Sequence, residues 1–571
     1  MAYIPRTVIF VCGLLWACVC GAQVQQKNLR RIDAMAEWPK PFGIIDYKQL
    51  AKNFDKKVYD FSAHGDYWPL IWMDSSNKNF NQATVGLYTA IGDARQGKNN
   101  KGMFHEALNS MGAVLGASLV GIDKSKQQHD YVGMLKNYFN RETGWNIMMN
   151  NTCPEVALLG GGYGRDWWYD VYPNVLFYAI YNLYPKEKDF DWIAKTIADK
   201  FYSADSVLNG NYNYTYFNYA TLQPHKTEIC IQPDAAAGHA WVLYMAYKEF
   251  GDRRYLNGAL SALKALDKVT ANPNYEVLMF FAPYLSARLN AELKTNYDTQ
   301  KFLEWSFDGT AICREGWGAL AGQWNGIDIS GTFGSTTDRG GYAFLMNTYD
   351  AAWPMVPMVR YDVSYAKAIG KWMLNAANAV KLFYPEYMPK QHQTLPEKAP
   401  VTKGVIAYEG FIKHPSYPEY KNIEAPVAQG DGPLWSPGKN PDVSQFSVYG
   451  SAHAGIFGSI INTTNVEGIL ALDLLATDFY RDEAFPTYLY YNPYDIAKSV
   501  SIKNVTGKKM DLYDAVSGKF LARNISGNSP VMLKGKTAMV VVQVPANAVI
   551  KNKEGKVFAN NVIINYNSGV N

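Results

Sequence analysis

The chain has 571 residues, with 55 Lys and Arg against 51 Asp and Glu, a formal net charge of +4 at pH 7. That length allows one large domain and a smaller one, and a near-balanced charge with no basic run excludes the electrostatic footprint of a nucleic-acid binder. Aromatic residues make up 14% of the chain, and flat apolar faces with polar edges suit sugar rings as well as a packed core.

The first element is residues 1–22. Arg6 precedes an apolar run from Val8 to Val19, and Gly21 and Ala22 precede Gln23, the pattern of a secretory signal peptide cut after Ala22. Cys18 and Cys20, at the end of the run, also suit a lipoprotein anchor. No later stretch supplies the ~20 apolar residues of a membrane span, so the expectation is a periplasmic or secreted protein. Past the signal remain Cys153, Cys230 and Cys313, an odd, widely spaced set that reads as neither a disulfide framework nor a zinc site.

From Tyr47 to Tyr480 helical periodicity dominates. In RRYLNGALSALKALDKV, Leu256, Ala259, Leu260, Leu263 and Leu266 follow the spacing of one helix face. Eight further stretches read the same way, from HEALNSMGAVLGASLVGID to TNVEGILALDLLATDFY. Short turns join neighbours: Gly251 ends one helix and Asp252 caps the next. No alternation of strands with helices points to a βαβ array. The expected fold class is mainly α, a ring of helical hairpins over residues 23–487.

Two connections interrupt the helices. GYGRDWWYD, residues 162–170, crowds two aspartates, an arginine and aromatic rings together. Pro173 restricts Tyr172 and suits the first position of a helix, which predicts a loop over 162–172. GQWNGIDISGTFGSTTDRGGYAF, residues 322–344, is rich in glycine and hydroxyls and also reads as a loop, its backbone polar groups needing partners outside a core.

After YLYYNPYDIAKSV the texture changes to short β-rich runs separated by Gly, Asn and Lys turns. An antiparallel β-sandwich over 488–571 is expected. The combination of export signal, helical-hairpin body and terminal β-sandwich resembles the secreted (α/α) toroid enzymes with which saccharolytic bacteria degrade polysaccharides. The segment QPDAAAGHAWVLYMAYKEFGDRRYLNGAL is similar to an inner-then-outer helix pair of such toroids. Because that group includes glycoside hydrolases and polysaccharide lyases, the resemblance implies a glycan substrate and leaves the reaction open.

The candidate catalytic acids are Asp166 and Asp338, one from each connection, followed by Glu409 and Glu315, whose aromatic or glycine neighbours can raise a carboxyl pKa. Two carboxyl groups across a sugar bond suffice for hydrolysis. Trp167, Trp168, Trp324 and Tyr342 are stacking candidates, and Arg165 and Arg339 could grip an acidic sugar. The same residues have structural alternatives, an ion pair of Arg165 with an aspartate or Asp338 as a helix N-cap. Lyase chemistry would instead need a base such as His239 or Tyr342, with Arg or Asn, such as the Asn150–Asn151 pair, neutralising charge. A third alternative is a glycan-binding protein without turnover. Glu228, Asp234, Asp431 and His453 are weaker candidates. Phosphate loops, dinucleotide fingerprints and nucleophile elbows are missing, so no cofactor is implied, and no metal set is read.

Overall fold

The computed structural model describes residues 24–65, 68–87, 106–152, 166–337, 340–414, 420–430 and 446–566. The signal segment, Cys153, Arg165, Asp338, Arg339 and Asp431 lie outside the described residues.

Among the described residues, eleven principal helices carry the N-terminal part: α1 (Tyr47–Val58), α2 (Ala107–Leu119), α3 (Trp167–Leu183), α4 (Phe190–Leu208), α5 (Ala235–Phe250), α6 (Arg253–Asp267), α7 (Phe281–Leu293), α8 (Thr299–Phe307), α9 (Leu345–Tyr361), α10 (Ala366–Val380) and α11 (Ala454–Ile460). They divide by sequence texture. In α5 every residue from Ala235 to Ala246 is buried, as a helix apolar on all sides must be. By contrast α1 buries Tyr47, Leu50, Ala51, Phe54 and Val58 along one stripe and turns its lysines outward. The largely buried helices α2, α3, α5, α7, α9 and α11 pack each on the next, and α11 packs back on α2. That closes an inner ring of six, with α1, α4, α6, α8 and α10 outside it. Closure depends on two glycines: a Cβ on Gly455 of α11 would collide with the Gly116 backbone of α2, and one on Gly116 would stand 2.6 Å from the Ala452 carbonyl oxygen.

The turn at Gly251 and Asp252 is as expected. Gly251 has φ +68, and the Asp252 side chain accepts the Arg254 N–H.

Three expectations need correction. The stretch 322–344 is not one continuous loop: Gln323–Trp324 and Ile327–Asp328 form a short ribbon, and two further strands enter a sheet. Strands β1 (Trp317–Ala319), β2 (Phe333–Ser335), β3 (Tyr342–Phe344), β4 (Gly410–Ile412) and β5 (Val427–Gln429) form one antiparallel sheet in the order β5-β4-β3-β2-β1. Its ladder satisfies the backbone groups of residues 333–335 and 342–344, part of the stretch that had argued for a loop. Next, the helix read over TNVEGILALDLLATDFY is absent, because Leu470–Asp473 is a strand; leucines at 470 and 472 alternate with period two, which a helical reading of the same residues hides.

Finally, the terminal sheet begins earlier than Tyr488. Strands β6 (Ile461–Thr463), β7 (Leu470–Asp473), β8 (Thr487–Tyr491), β9 (Lys498–Ile502), β10 (Met510–Asp514), β11 (Lys519–Ile525), β12 (Ser529–Leu533) and β13 (Ala538–Pro545) follow α11. Six of them order as β6-β7-β8-β13-β10-β11, and β9 pairs with β12. Alternation sorts the side chains. Tyr490, Leu512, Met539 and Val541 join Val500, Ile502 and Val531 in a small core under the β9–β12 ribbon. Leu489, Tyr491, Val540 and Val542 belong to the main core, where β8 and β13 pack on α10. One face of this sandwich is thus a continuation of the helical body.

Candidate active site

A carboxyl residue stands immediately before each of four inner-ring elements: Glu106 before α2, Asp166 before α3, Asp234 before α5 and Glu276 before the 3-10 turn Val277–Phe280 that leads into α7. Successive inner helices run the same way, since an outer element returns the chain between them, so these groups share one end of the ring. Positive helix ends favour negative charge there.

Asp166 sits at the N-cap of α3, which starts at Trp167, with Pro173 inside the helix. Over 166–172, the described part of the expected 162–172 loop, this is a correction. The proline is tolerated because its fixed φ suits a helix and the surrounding turn is tied down otherwise: Asn174 Nδ2 donates to the Asp170 carbonyl and to Met148 O, at 2.8 and 2.9 Å. Gln232 Nε2 donates to Asp166 Oδ2 at 3.1 Å, and Oδ1 has no hydrogen-bond partner among the described residues. Complete burial, opposed by Gln232 and reinforced by Asp170 and Glu276, raises the Asp166 carboxyl pKa to about 8. Asp234 Oδ2 accepts the Tyr275 N–H at 3.0 Å. Burial lifts its pKa to about 7 against that bond and the Glu276 N–H, with Glu276 adding to the rise.

Glu276 forms an ion pair with Arg314 Nη1 at 2.7 Å, and the Arg314 guanidinium lies 4.4 Å from the Trp317 ring centre. Tyr449, beside α11, gathers the rest. Its hydroxyl pKa is pushed well up by burial and by Tyr169, Glu106, Glu276 and Glu409, so all four lie within electrostatic range of it. The Glu409 carbonyl accepts the Leu345 N–H at the start of α9, which anchors that residue beside the ring mouth. Exposure separates two layers. Glu276, Tyr169, Glu409 and Tyr449 retain 5, 7, 8 and 9% of their surface, while Asp166 has none and Asp234 1%. The first four keep a little exposed surface and the aspartates next to none.

Of the sequence candidates, Asp166 and Glu409 therefore come to this end of the ring, although Asp166 stays beneath its surface. Glu315 has an exposed side chain and stands outside the cluster, its neighbour Arg314 occupying the place read for it. The stacking role read for Trp167 is corrected: it is fully buried, Nε1 donates to Tyr214 O at 2.9 Å, and its ring packs on Tyr212, Phe217 and His239. Trp168 is 4% exposed and stacks on Tyr172, leaving little ring for a ligand. His239 is likewise core: wholly buried, its Nε2 2.8 Å from the Tyr219 hydroxyl, its pKa lowered to about 3 by burial. Trp324 and Tyr342 are nearly buried in the sheet region, with Tyr342 packed on Trp317 and Phe344. Asn150 donates to Glu106 at 3.4 Å. His453 is bonded to Asp350 at 2.6 Å and to Leu108 O at 2.9 Å, inside the ring. Glu276, Glu106, Arg314 and Tyr449 were missed by sequence reasoning. The signal that could have found the first two is a lone carboxyl residue directly ahead of an all-apolar helical run.

Cys230 and Cys313 form a disulfide, correcting the expectation of no framework. The bridge joins the loop of Gln232 to the loop of Arg314, and so ties together the partners of Asp166 and Glu276. Among the described residues no group of three or more potential metal ligands is found, and no helix is long and apolar enough to cross a membrane.

No protein-family model matches the sequence, and no curated protein sequence matches it. Among solved structures the chain is similar to a GH127 β-L-arabinofuranosidase from Geobacillus stearothermophilus T6, at 9% identity and TM-score 0.35, covering 92% of this chain and 86% of that one. It is also similar to another GH127 β-arabinofuranosidase, at 10% identity and TM-score 0.33 over 80% and 74% of the two chains. An α-L-rhamnosidase from Dictyoglumus thermophilum overlaps at 9% identity and TM-score 0.30, over 77% and 46%. Overlaps this loose carry no weight for chemistry, which rests on the side chains themselves.

Proposed function

We propose that this protein is an exported glycoside hydrolase whose catalytic carboxyls are Glu276 and Glu409. The observation that carries the reading is that both carboxyls act on the Tyr449 hydroxyl beside the inner-helix N-termini and, unlike Asp166 and Asp234, keep a little exposed surface. Glu276, paired with Arg314, takes the anionic role: it either receives a proton from an attacking water or itself attacks the anomeric carbon. Glu409 donates its proton to the departing glycosidic oxygen as the C–O bond breaks. Asp166 is a positioning residue, neutral at pH 7, that holds Gln232 and spares Glu276 a second negative neighbour. Arg314 also offers a cation to an acidic sugar, in keeping with a uronate-containing substrate. Export is supported by the Cys230–Cys313 disulfide, a bond that persists in oxidising compartments.

Elimination is the less favoured chemistry, since burial and three carboxyl neighbours push Tyr449 away from acting as a base, and His239 is sealed in the core. The test is turnover of a panel of acidic and neutral glycans with product masses read out. Products heavier by one water in total are expected, and Glu276→Gln and Glu409→Gln should each lower kcat/KM by about a thousandfold. Products with a new ultraviolet-absorbing C=C bond, or full turnover in both variants, would overturn the reading.

A further inference from the structure

A groove of about 680 Å³ lies between the C-terminal half of α1 and the segment 400–405, lined by Asn53, Lys56, Lys57, Asp60, His64, Trp68, Lys403 and Val405 among others. Its charges are unbalanced: three lysines face one aspartate. That aspartate is itself held ionised, its pKa lowered chiefly by the Ser62 hydroxyl and N–H, with smaller help from Lys57 and His64. Lys57 Nζ lies 4.6 Å from the Trp68 ring centre, while Lys56 and Lys403 are exposed. A half-exposed indole beside exposed cations is the pairing that recognises a sugar ring bearing an anion: the ring's C–H face stacks on the indole and the anion meets the ammonium groups.

Position adds a second argument. Outer helices run opposite to inner ones, so the C-terminal end of α1 lies at the same end of the molecule as the carboxyl cluster. Val405, a groove residue, is four residues from Glu409, so their backbones are within about 14 Å. One glycan chain can span that distance in a few sugar units.

We infer that the groove is an accessory binding site for an anionic glycan chain, whose acidic sugars, carboxylated or sulfated, engage Lys56, Lys57, Lys403 and Trp68 while a neighbouring stretch of the chain lies at the ring mouth. The inference rests on the proposed glycan substrate, and it implies a polymer rather than a small glycoside as the natural one.

The experiment uses the full chain carrying Glu276→Gln, so that binding is read without turnover. Calorimetric titration with an oligogalacturonate hexamer, a sulfated galactan hexamer and neutral xylohexaose is compared between that protein and one also carrying Lys56→Glu and Lys403→Glu, positions on the surface where folding is not at stake. The charge reversals should weaken the acidic hexamer at least about tenfold at low salt, the gap narrowing as ionic strength rises, and leave the neutral hexamer unchanged. Which acidic hexamer shows the loss tells carboxylate from sulfate. Trp68→Ala, in the same background, should weaken it as well. Equal affinity of the acidic hexamers for both proteins, or no binding of either by the unreversed one, overturns the site. Turnover surviving Glu276→Gln and Glu409→Gln would instead overturn the catalytic assignment and leave the groove measurement standing.

Discussion

Asp166 shows how a single carboxyl group can be paid for in stability and read out in pH. Its folded pKa of about 8 lies above the ordinary 3.8, so the folded chain holds a proton that the unfolded chain releases between those values. Its linked contribution to stability is therefore complete below about pH 4 and lost as pH rises through 8. Asp166→Asn keeps the neutral form at every pH. It should match the parent near pH 4 and exceed it by a few kcal/mol at pH 8, in thermal or urea unfolding. On the positioning role, the parent's kcat/KM falls above pH 8 and the asparagine variant loses that alkaline limb while keeping turnover. A variant with the parent's pH profile would remove Asp166 from the machinery. Asp166 and Glu409 stand out in the sequence because aromatic or glycine neighbours adjoin each. Glu276 does not, since NYEVLMFF reads as a core helix with one stray charge, and Arg314 is hidden behind its more acidic neighbour Glu315. Partners 38 residues apart in sequence, such as Glu276 and Arg314, carry no local signature.

At the scale of elements, the helical hairpins were readable because their apolar residues recur with a 3.6 period and their turns carry capping chemistry, as at Gly251 and Asp252. Sheet pairing was not, because the five-stranded sheet joins segments from 317 to 429 and its strands are only three residues long. The contact of α2 with α11 makes a prediction of definite sign. Ala normally stabilises a helix relative to Gly by up to about 1 kcal/mol. At Gly455 the added methyl meets the Gly116 backbone, so Gly455→Ala should instead destabilise by about 2 kcal/mol or more, measured by denaturant unfolding. A gain in stability would show that the two helices can part without cost.

Across the whole molecule, the ring and the terminal sheet are joined at the end opposite the carboxyl cluster by a buried ionic knot. Arg288, with no exposed surface, bonds Glu292 at 2.9 Å, the Tyr284 hydroxyl at 2.7 Å and the carbonyls of Phe479 and Tyr480. Arg360 meets Asp478 at 2.9 Å in the same cluster. Arg288→Met leaves Glu292 with only Lys248 and the Tyr244 hydroxyl as partners, strips the Phe479 and Tyr480 carbonyls of their donor, and should cost about 3 kcal/mol. Although burial alone would raise it, Arg288 and Lys248 bring the Glu292 pKa below its ordinary 4.5. Its share of stability is present above that value and lost as pH falls, so the parent's unfolding temperature should drop in acid more steeply than the variant's. The Cys230–Cys313 bridge works at the other end, where it clamps the loops of Gln232 and Arg314. Treating the folded protein with a thiol reductant should lower kcat/KM and leave far-ultraviolet circular dichroism unchanged; undiminished activity would mean the loops hold themselves. A chain kept reduced would then carry a finished ring with a slack mouth, a built-in latency that ends only when the two sulfurs meet oxidising surroundings.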